Sequence, residues 1–290
     1  MRWRGRRQSA NVEDRRGTGG GGVIRVGRAG GGGIGILIIA VVLWLVFGIN
    51  PLALLGDAQV MAPSEQSAPR NGGGVATTES EVDDFVATVL ADTEDVWGAI
   101  FRQGGSDYPE PTLVLFEGQV RSACGFAGAA TGPFYCPGDQ RLYIDLSFFE
   151  ELRRRFDAPG DFAQAYVIAH EVGHHVQNVL GILPKTTEMR RRLGERESNA
   201  LSVRVELQAD CFAGIWANRT AKKGYLEEGD IREALNAAGQ LGDDMIQRRT
   251  QGYVVPDAFN HGSAEQRATW FRRGYERGTL DACDTFQDLI

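Results

Sequence analysis

The chain has 290 residues, a formal net charge of −7, 42% hydrophobic residues and 24% charged residues. These values are ordinary for a globular protein and leave room for one sizeable domain with appendages. The charge is uneven, because residues 1–33 carry eight Arg against Glu13 and Asp14, a balance of +6, which leaves −13 for the remainder. A folded part this acidic argues against nucleic-acid binding, which needs clustered cations.

An apolar stretch follows the Arg-rich head. Residues 34–47 read IGILIIAVVLWLVF, and the apolar character continues to residue 55. About 20 residues without formal charge can cross a bilayer as a helix, and Arg on one flank favours cytoplasmic retention of that flank. The sequence therefore predicts a single-pass membrane protein with a cytoplasmic head over residues 1–33, a transmembrane helix in the lipid bilayer over residues 34–55, and an extracytoplasmic remainder. A cleaved signal peptide and a buried core helix are the alternatives; the long head argues against the first, and the glycines before the run argue against the second.

Residues 56–80 contain few large apolar side chains and are rich in Gly, Pro, Ser and Ala. This composition is typical of a flexible linker. The globular domain is therefore expected over residues 81–290.

Within residues 81–290, apolar periodicity and capping signals predict an α+β fold that is mostly helical with a small β-sheet. A helix is expected over residues 81–102, and short strands over residues 112–116 and 141–146, separated by a Gly-rich loop. Further helices are expected over residues 147–156, 162–180, 187–221, 227–249 and 264–277. Ser263 and Gln266 have the spacing of a capping box at the start of the last helix.

The four cysteines are Cys124, Cys136, Cys211 and Cys283. No CxxC pair is present, so a cysteine zinc site is disfavoured, and an even set in an exported domain indicates structural disulfides. Three pairings are possible. Cys124 with Cys136 would close a short Gly-rich loop, and Cys211 with Cys283 would then tie the end of the chain to a central helix.

The helix over residues 162–180 contains the motif HEVGH at residues 170–174. Positions i and i+4 lie one turn apart on the same face of a helix, so His170 and His174 can occupy adjacent corners of a zinc tetrahedron. Glu171 lies on the neighbouring face, where it can reach a zinc-bound water without binding the metal. The motif predicts a catalytic zinc site with Glu171 as general base.

A catalytic zinc needs a third protein ligand. Metzincins place a His six residues after the second His of the motif, but that position is Leu180 here. Glu206 and Asp210 lie at i and i+4 among apolar neighbours, in an ExxxD pattern that resembles the gluzincin arrangement. That resemblance implies that Glu206 is the third ligand and that Asp210 orients a ligand His by a hydrogen bond. Two solvent-facing carboxylates are the alternative interpretation.

Longer segments carry a closer resemblance. They are HEVGHHVQN at residues 170–178, ELQADCFAG at 206–214, GPFYCPGDQRLYIDLSFF at 132–149, HGSAEQRATWF at 261–271, and the head MRWRGRRQSANVEDRRG. Together they resemble the neutral zinc metallopeptidase family over nearly the whole chain, with the linker as the main gap. The resemblance implies a zincin-like fold, one Zn²⁺ per chain, and hydrolysis of peptide or protein substrates.

Two further histidines have weaker assignments. His261 precedes the last helix and could donate a hydrogen bond to the developing oxyanion, as a late His or Tyr does in gluzincins; Tyr253 competes for this role. A structural role at the helix start is the alternative for His261. His175 points about 100° away from His174 around the helix axis, so a packing role is expected for it.

These residues predict metal-assisted hydrolysis, in which Glu171 takes a proton from a zinc-activated water and passes it to the leaving amine. A zinc-stabilised binding module without catalysis is one alternative, although a purely structural site has no need of Glu171. A zinc amidase that acts on cell-wall peptides is another, since it would use the same groups on a different bond.

Overall fold

The computed structural model describes residues 1–17 and 79–287. The described residues form a mixed helical fold with two small sheets. The elements in chain order are β1 (Val12–Asp14), α1 (Glu79–Gln103), β2 (Thr112–Phe116), β3 (Gln119–Ser122), β4 (Gly125–Gly128), β5 (Phe134–Cys136), β6 (Arg141–Asp145), α2 (Ser147–Arg154), α3 (Asp161–Val179), α4 (Ile182–Arg190), α5 (Glu195–Lys222), α6 (Asp230–Gln240), α7 (Asp243–Gln251) and α8 (Ala264–Arg277), followed by a 3₁₀ turn over Leu280–Cys283.

The larger sheet has the strand order β1-β2-β6-β5. β1, β2 and β6 are parallel, whereas β5 is antiparallel and lies at one edge next to β6. β2 and β6 are buried along almost their whole length, as expected for parallel strands covered on both faces. Tyr135 of β5 faces α3, and this contact brings the sheet edge beside the helix that carries the HEVGH motif.

The helical core is built from α3, α5 and α8, which cross at very short distances. A Cβ atom placed on Gly274 of α8 would lie 1.9 Å from the carbonyl oxygen of Cys211 on α5. A Cβ atom placed on Gly214 of α5 would likewise lie 2.1 Å from the carbonyl oxygen of Phe271 on α8. Only glycine allows this separation, so the two positions fix how closely α8 approaches α5.

Two predicted helices are each divided in the structure. The range 187–221 covers the end of α4 and most of α5, which are separated at Gly194, and the range 227–249 covers α6 and α7, which are separated at Gly242. A Cβ atom on Gly242 would lie 2.3 Å from the backbone nitrogen of Ala264, so the break allows α7 to approach the start of α8. The predicted capping box of Ser263 and Gln266 is confirmed.

The Gly-rich segment predicted as a loop contains more structure than expected. The antiparallel hairpin of β3 and β4 begins before this segment, and β5 lies at the end of the segment. The disulfide between Cys124 and Cys136 joins the turn of this hairpin to β5. Both predicted pairings are confirmed, since Cys211 of α5 is bonded to Cys283.

Residues 1–17 pack against the rest of the domain, in contrast to the predicted separate head. Val12 of β1 pairs with Leu113 of β2 in a parallel register. Trp3 is buried, and its ring meets that of Phe85 at a centroid distance of 5.5 Å. Four Arg side chains of this segment, those of Arg4, Arg6, Arg7 and Arg16, pair with carboxylates of α1, for example Arg7 with Glu94 at 3.0 Å. The positive charge of these four side chains is therefore matched by α1 of the same domain.

The prediction of a transmembrane helix and of a single-pass membrane protein is wrong as a description of this fold. Over residues 1–17 and 79–287, every helix is too short or too polar to cross a bilayer. Residues 34–55, and most of the predicted linker, lie outside the described residues. The packing of residues 1–17 supplies a physical reason. A single crossing would place the head and the domain on opposite sides of a bilayer, whereas the structure holds them in contact.

Candidate metal centre

The predicted metal ligands lie where α3 and α5 come closest. Gly173, inside the HEVGH motif, faces Ala209, which lies between Glu206 and Asp210. A Cβ atom on Gly173 would lie 2.9 Å from the Ala209 carbonyl oxygen and 3.1 Å from its Cα atom. The absence of a side chain at Gly173 therefore brings the His-bearing face of α3 against the carboxylate-bearing face of α5.

The structure brings His170, His174 and Glu206 together. Nε2 of His170 lies 3.1 Å from Oε2 of Glu206, and Nε2 of His174 lies 3.5 Å from Oε1 of the same carboxylate. The three donor atoms lie within 4.8 Å of one another. Ligand atoms about 2.0–2.2 Å from a tetrahedral zinc are about 3.3–3.6 Å apart, so these separations and the His₂Glu donor set fit a zinc ion.

Asp210 orients the ring of His170. Nδ1 of His170 donates to Oδ1 of Asp210 over 2.8 Å, which leaves Nε2 facing Glu206. The carboxylate is itself held by two other buried groups. The Tyr166 hydroxyl donates to Oδ1 at 2.5 Å, and the Arg267 guanidinium donates to Oδ2 from Nε at 2.9 Å and to Oδ1 from Nη2 at 3.0 Å. The position of the His170 ring thus depends on a carboxylate fixed from three sides.

The charges explain how these buried groups stay ionised. Burial disfavours the Asp210 carboxylate, but the charges of Arg267 and His170 outweigh burial and keep its pKa below the usual range. Burial also opposes the charged form of His170, whereas Asp210 and Glu206 outweigh it and raise its pKa to about 10. The pKa of Glu206 is well below its ordinary value because the neighbouring imidazoles oppose the effect of burial. The carboxylates therefore favour positive charge at the imidazole of His170, as they would favour a bound cation in its place.

Glu171 follows His170 on α3 and is also buried, at 8% exposure. Burial lowers the pKa of His174, but Glu206 and, to a smaller extent, the charge of Glu171 outweigh it, so Glu171 lies close enough to His174 to interact with it. It is not part of the three-residue donor cluster formed by His170, His174 and Glu206. This placement, next to the cluster but outside it, is what a general base requires.

His261 lies on the loop before α8, on the side of Glu206. Its neighbour Gly262 has a φ of +100°, and a Cβ atom there would meet Leu207 and Val203 of α5 at 3.2 and 3.3 Å. Nδ1 of His261 donates to Oδ1 of Asp243 over 3.0 Å. The side chain is 51% exposed; its partial burial lowers the pKa, but the hydrogen bond to Asp243 and the charge of Glu206 outweigh that effect and raise the pKa of His261 above its usual 6.5.

Asp243 holds the loop as well as the His261 ring. Its Oδ2 atom accepts from the backbone amides of Asn260 and His261 at 2.7 Å and from that of Gly262 at 3.1 Å. Asp243 is the first residue of α7, next to the break at Gly242, so the division of the predicted helix positions this carboxylate.

His175 and Tyr253 lie away from the ligand cluster. His175 donates from Nε2 to the Pro109 carbonyl oxygen at 2.6 Å and accepts from the Tyr135 hydroxyl at Nδ1, and burial lowers its pKa. The packing role expected for His175 agrees with these contacts. The side chains of Tyr253 and His261 are both exposed, at 62% and 51%; the structure favours His261 as the group that faces Glu206 because the charge of His261 helps to lower the pKa of Glu206.

Sequence reasoning missed Arg267, Tyr166 and Asp243. Arg267 lies within the segment HGSAEQRATWF, but an Arg near the start of a helix is usually solvent-exposed. Tyr166 lies one turn before His170, and this i−4 spacing was a usable signal. Asp243 lies within the range 227–249, which was predicted as one continuous helix, so its position at the start of a helix was not recognised.

Comparison of the sequence with known protein families and proteins agrees with this geometry. The family model described as "Putative neutral zinc metallopeptidase" matches residues 1–286, and the chain belongs to that family. The chain is 46% identical over 295 residues to the uncharacterized protein YpfJ of Escherichia coli (strain K12), covering 100% of both chains. It is 39% identical over 253 residues to the uncharacterized proteins Rv2575 of Mycobacterium tuberculosis and Mb2605 of Mycobacterium bovis, covering 83% of this chain and 84% of each of those. No solved structure matches the chain.

Proposed function

We propose that this protein is a zinc-dependent peptidase that hydrolyses peptide bonds. The observation that carries the proposal is the meeting of His170, His174 and Glu206 around one point, with the Glu171 carboxylate beside them. The donor set is that of catalytic zinc sites with one open position, and the family to which the chain belongs supports the same chemistry. Bound zinc would polarise a carbonyl group and lower the pKa of water to about 7.

Residues of the chain supply proton transfer, stabilisation of the transition state and orientation of a metal ligand. Glu171 takes the proton of the attacking water and delivers it to the leaving amine, as general base and then general acid. The protonated ring of His261, with its Nδ1–H directed to Asp243, presents Nε2–H as the hydrogen-bond donor to the oxygen that becomes negative in the transition state. Asp210 with Arg267 keeps the His170 ring in place.

The test compares zinc content and turnover in the full chain and in Glu171→Gln. The substitution retains shape and removes basicity, so we expect unchanged zinc content, measured by elemental mass spectrometry, and a rate on a peptide library that is lower by about 10²-fold or more. Glu188→Gln on the exposed part of α4 is the matched control and should keep full activity.

Three results would count against parts of this proposal. Full activity in Glu171→Gln would reject the assigned base. A zinc-loaded wild type that cleaves no peptide in the library would favour a zinc-stabilised binding module. Activity on amide bonds of cell-wall peptides alone would move the substrate class to that of an amidase.

A further inference from the structure

The second imidazole of the centre is oriented by a different kind of partner. Nδ1 of His174 lies 2.9 Å from Oε1 of Gln177, one turn further along α3, where His170 has a carboxylate. A neutral amide can present either its oxygen or its nitrogen to an imidazole. The direction of the Gln177 amide therefore decides which nitrogen of His174 carries a proton.

Backbone carbonyl groups fix that direction. Nε2 of Gln177 donates to the Val205 carbonyl oxygen at 2.7 Å and to Oε1 of Gln208 at 3.0 Å. Nε2 of Gln208 in turn donates to the Cys283 carbonyl oxygen at 3.0 Å. A carbonyl oxygen can only accept a hydrogen bond, so each amide must turn its nitrogen toward its backbone carbonyl partner. The amide oxygen of Gln177 then faces His174, and that of Gln208 faces Gln177.

The chain of hydrogen bonds thus has a single polarity, from the His174 Nδ1–H through Gln177 and Gln208 to Cys283. His174 must carry its proton on Nδ1, and Nε2 is the nitrogen left to face Glu206. Gln177 and Cys283 are fully buried and Gln208 is 6% exposed, so water does not compete for these bonds.

The far end of the chain of bonds is covalently fixed. Cys283 is bonded to Cys211 of α5, only three residues after Gln208. The next residues are also attached to α5, since the Thr285 hydroxyl donates to the Arg204 carbonyl oxygen at 2.7 Å and Arg204 donates to the Thr285 carbonyl oxygen at 3.0 Å. The disulfide therefore holds the Cys283 carbonyl group over the side chain of Gln208.

We propose that Gln177 and Gln208 are positioning residues of the metal centre and that the Cys211–Cys283 disulfide acts on the centre through them. The inference rests on the proposed zinc site, and it extends that site to the 3₁₀ turn that ends at Cys283. It gives the two disulfides different roles, because Cys124–Cys136 joins a hairpin to β5 and does not touch the Gln177–Gln208 pair.

The experiment measures zinc dissociation constants of the full chain by competition with a chromophoric chelator. Wild type that binds no zinc would reject the proposed function itself, before any variant is compared. With zinc bound by the wild type, Gln177→Met should weaken binding by about 10- to 100-fold, the usual effect of losing a group that orients a ligand His. Gln208→Met should weaken binding less, because the Val205 carbonyl group still holds Gln177.

Gln164→Met is the matched control for both substitutions. Gln164 lies ten residues before His174 on the same helix, about 15 Å along its axis, and should leave zinc affinity unchanged. Equal affinity in Gln177→Met and Gln164→Met would overturn the proposal.

A double-mutant cycle tests the disulfide. Cys211→Ala with Cys283→Ala should weaken zinc binding in the wild-type background but have little further effect when Gln208→Met is present, because both changes break the same link. The pair Cys124→Ala with Cys136→Ala is the control and should leave zinc affinity unchanged. The same loss in both backgrounds, or an equal loss in the control pair, would overturn the role of the disulfide. Far-UV circular dichroism checks that each variant is folded, and the two Gln variants, which retain both disulfides, test the link independently.

Discussion

Gly173 of α3 and Ala209 of α5 face each other across the metal centre, and a Cβ atom on Gly173 would lie 2.9 Å from the Ala209 carbonyl oxygen. The contact sets the separation of the two helices at the level of the ligands, because Gly173 lies between His170 and His174 and Ala209 lies between Glu206 and Asp210. The backbone at this crossing is therefore part of the site.

Gly173→Val should destabilise the domain and weaken zinc binding together. The added side chain must push α3 away from α5, and overpacking of this kind costs about 1–3 kcal/mol. Chemical denaturation and a chelator competition would measure the two effects. Gly239→Ala in α6 is the control, since its Cβ atom meets nothing within 4 Å, and it should stabilise the domain by about 0.5–1 kcal/mol. Unchanged zinc affinity in Gly173→Val would show that the ligands tolerate a wider separation of the helices.

Arg267→Met should be among the most damaging substitutions outside the ligands. It leaves the buried Asp210 carboxylate without its cation, and removing one partner of a buried ion pair costs about 3–5 kcal/mol. The free energy of unfolding from urea titration is the measurement. Arg272→Met on the exposed face of the same helix should change it by less than about 0.5 kcal/mol. Equal stability of the two variants would mean that Tyr166 alone suffices to hold Asp210.

Asp243→Asn should move the alkaline limb of the pH–rate profile to lower pH. With Nδ1–H directed to Asp243, only the protonated ring of His261 can donate from Nε2, so donation is present below the His261 pKa and is lost as the pH rises through it. The pKa is raised above 6.5 with help from Asp243, and an amide in its place removes that contribution. Profiles of kcat/KM for wild type and variant would measure the shift. Asp244→Asn, on the same turn of α7, is the control, and coincident alkaline limbs for Asp243→Asn and wild type would remove His261 from the reaction.

Trp3→Ala should lower the free energy of unfolding by about 3–5 kcal/mol, because a buried indole is lost from the domain core. Tyr253→Ala, at a side chain that is 62% exposed, is the control and should have little effect. Thermal unfolding followed by circular dichroism would compare them. Coincident curves for Trp3→Ala and wild type would show that residues 1–17 do not contribute to the folded domain in solution.

The structure of residues 79–287 was predicted from the sequence better than that of the N-terminal segment. The strand over residues 112–116 and the helix over residues 264–277 agree with the structure to the residue, because apolar periodicity and a capping box act locally. The spacing of His170 and His174 was likewise readable, since it depends on helix geometry alone, whereas Glu206 was assigned through the resemblance of its ExxxD pattern to the gluzincin arrangement. The partners of these residues were not, because Arg267 and Gln208 are brought to the site by the packing of α8 and of the segment around Cys283.

The N-terminal segment shows the opposite outcome. Its eight Arg residues within residues 1–33 indicated a membrane-flanking head, because composition alone does not reveal that α1 carries the matching carboxylates. The membrane prediction depended on that interpretation. Pairing of Val12 with Leu113 joins positions about 100 residues apart in the chain, and periodicity within a short window cannot detect such a contact.

The ion pair between Arg16 and Asp83, at 2.7 Å, joins the two places where the described chain stops and resumes. The chain therefore leaves the described part of the domain and re-enters it close to the same point. In general, a loop between two points costs only about 0.6 kcal/mol more to close for each doubling of its length. The contacts that hold these two points together, the ion pair and the pairing of β1 with β2, lie within the described residues, so the stability of the domain should depend little on the length of chain between them.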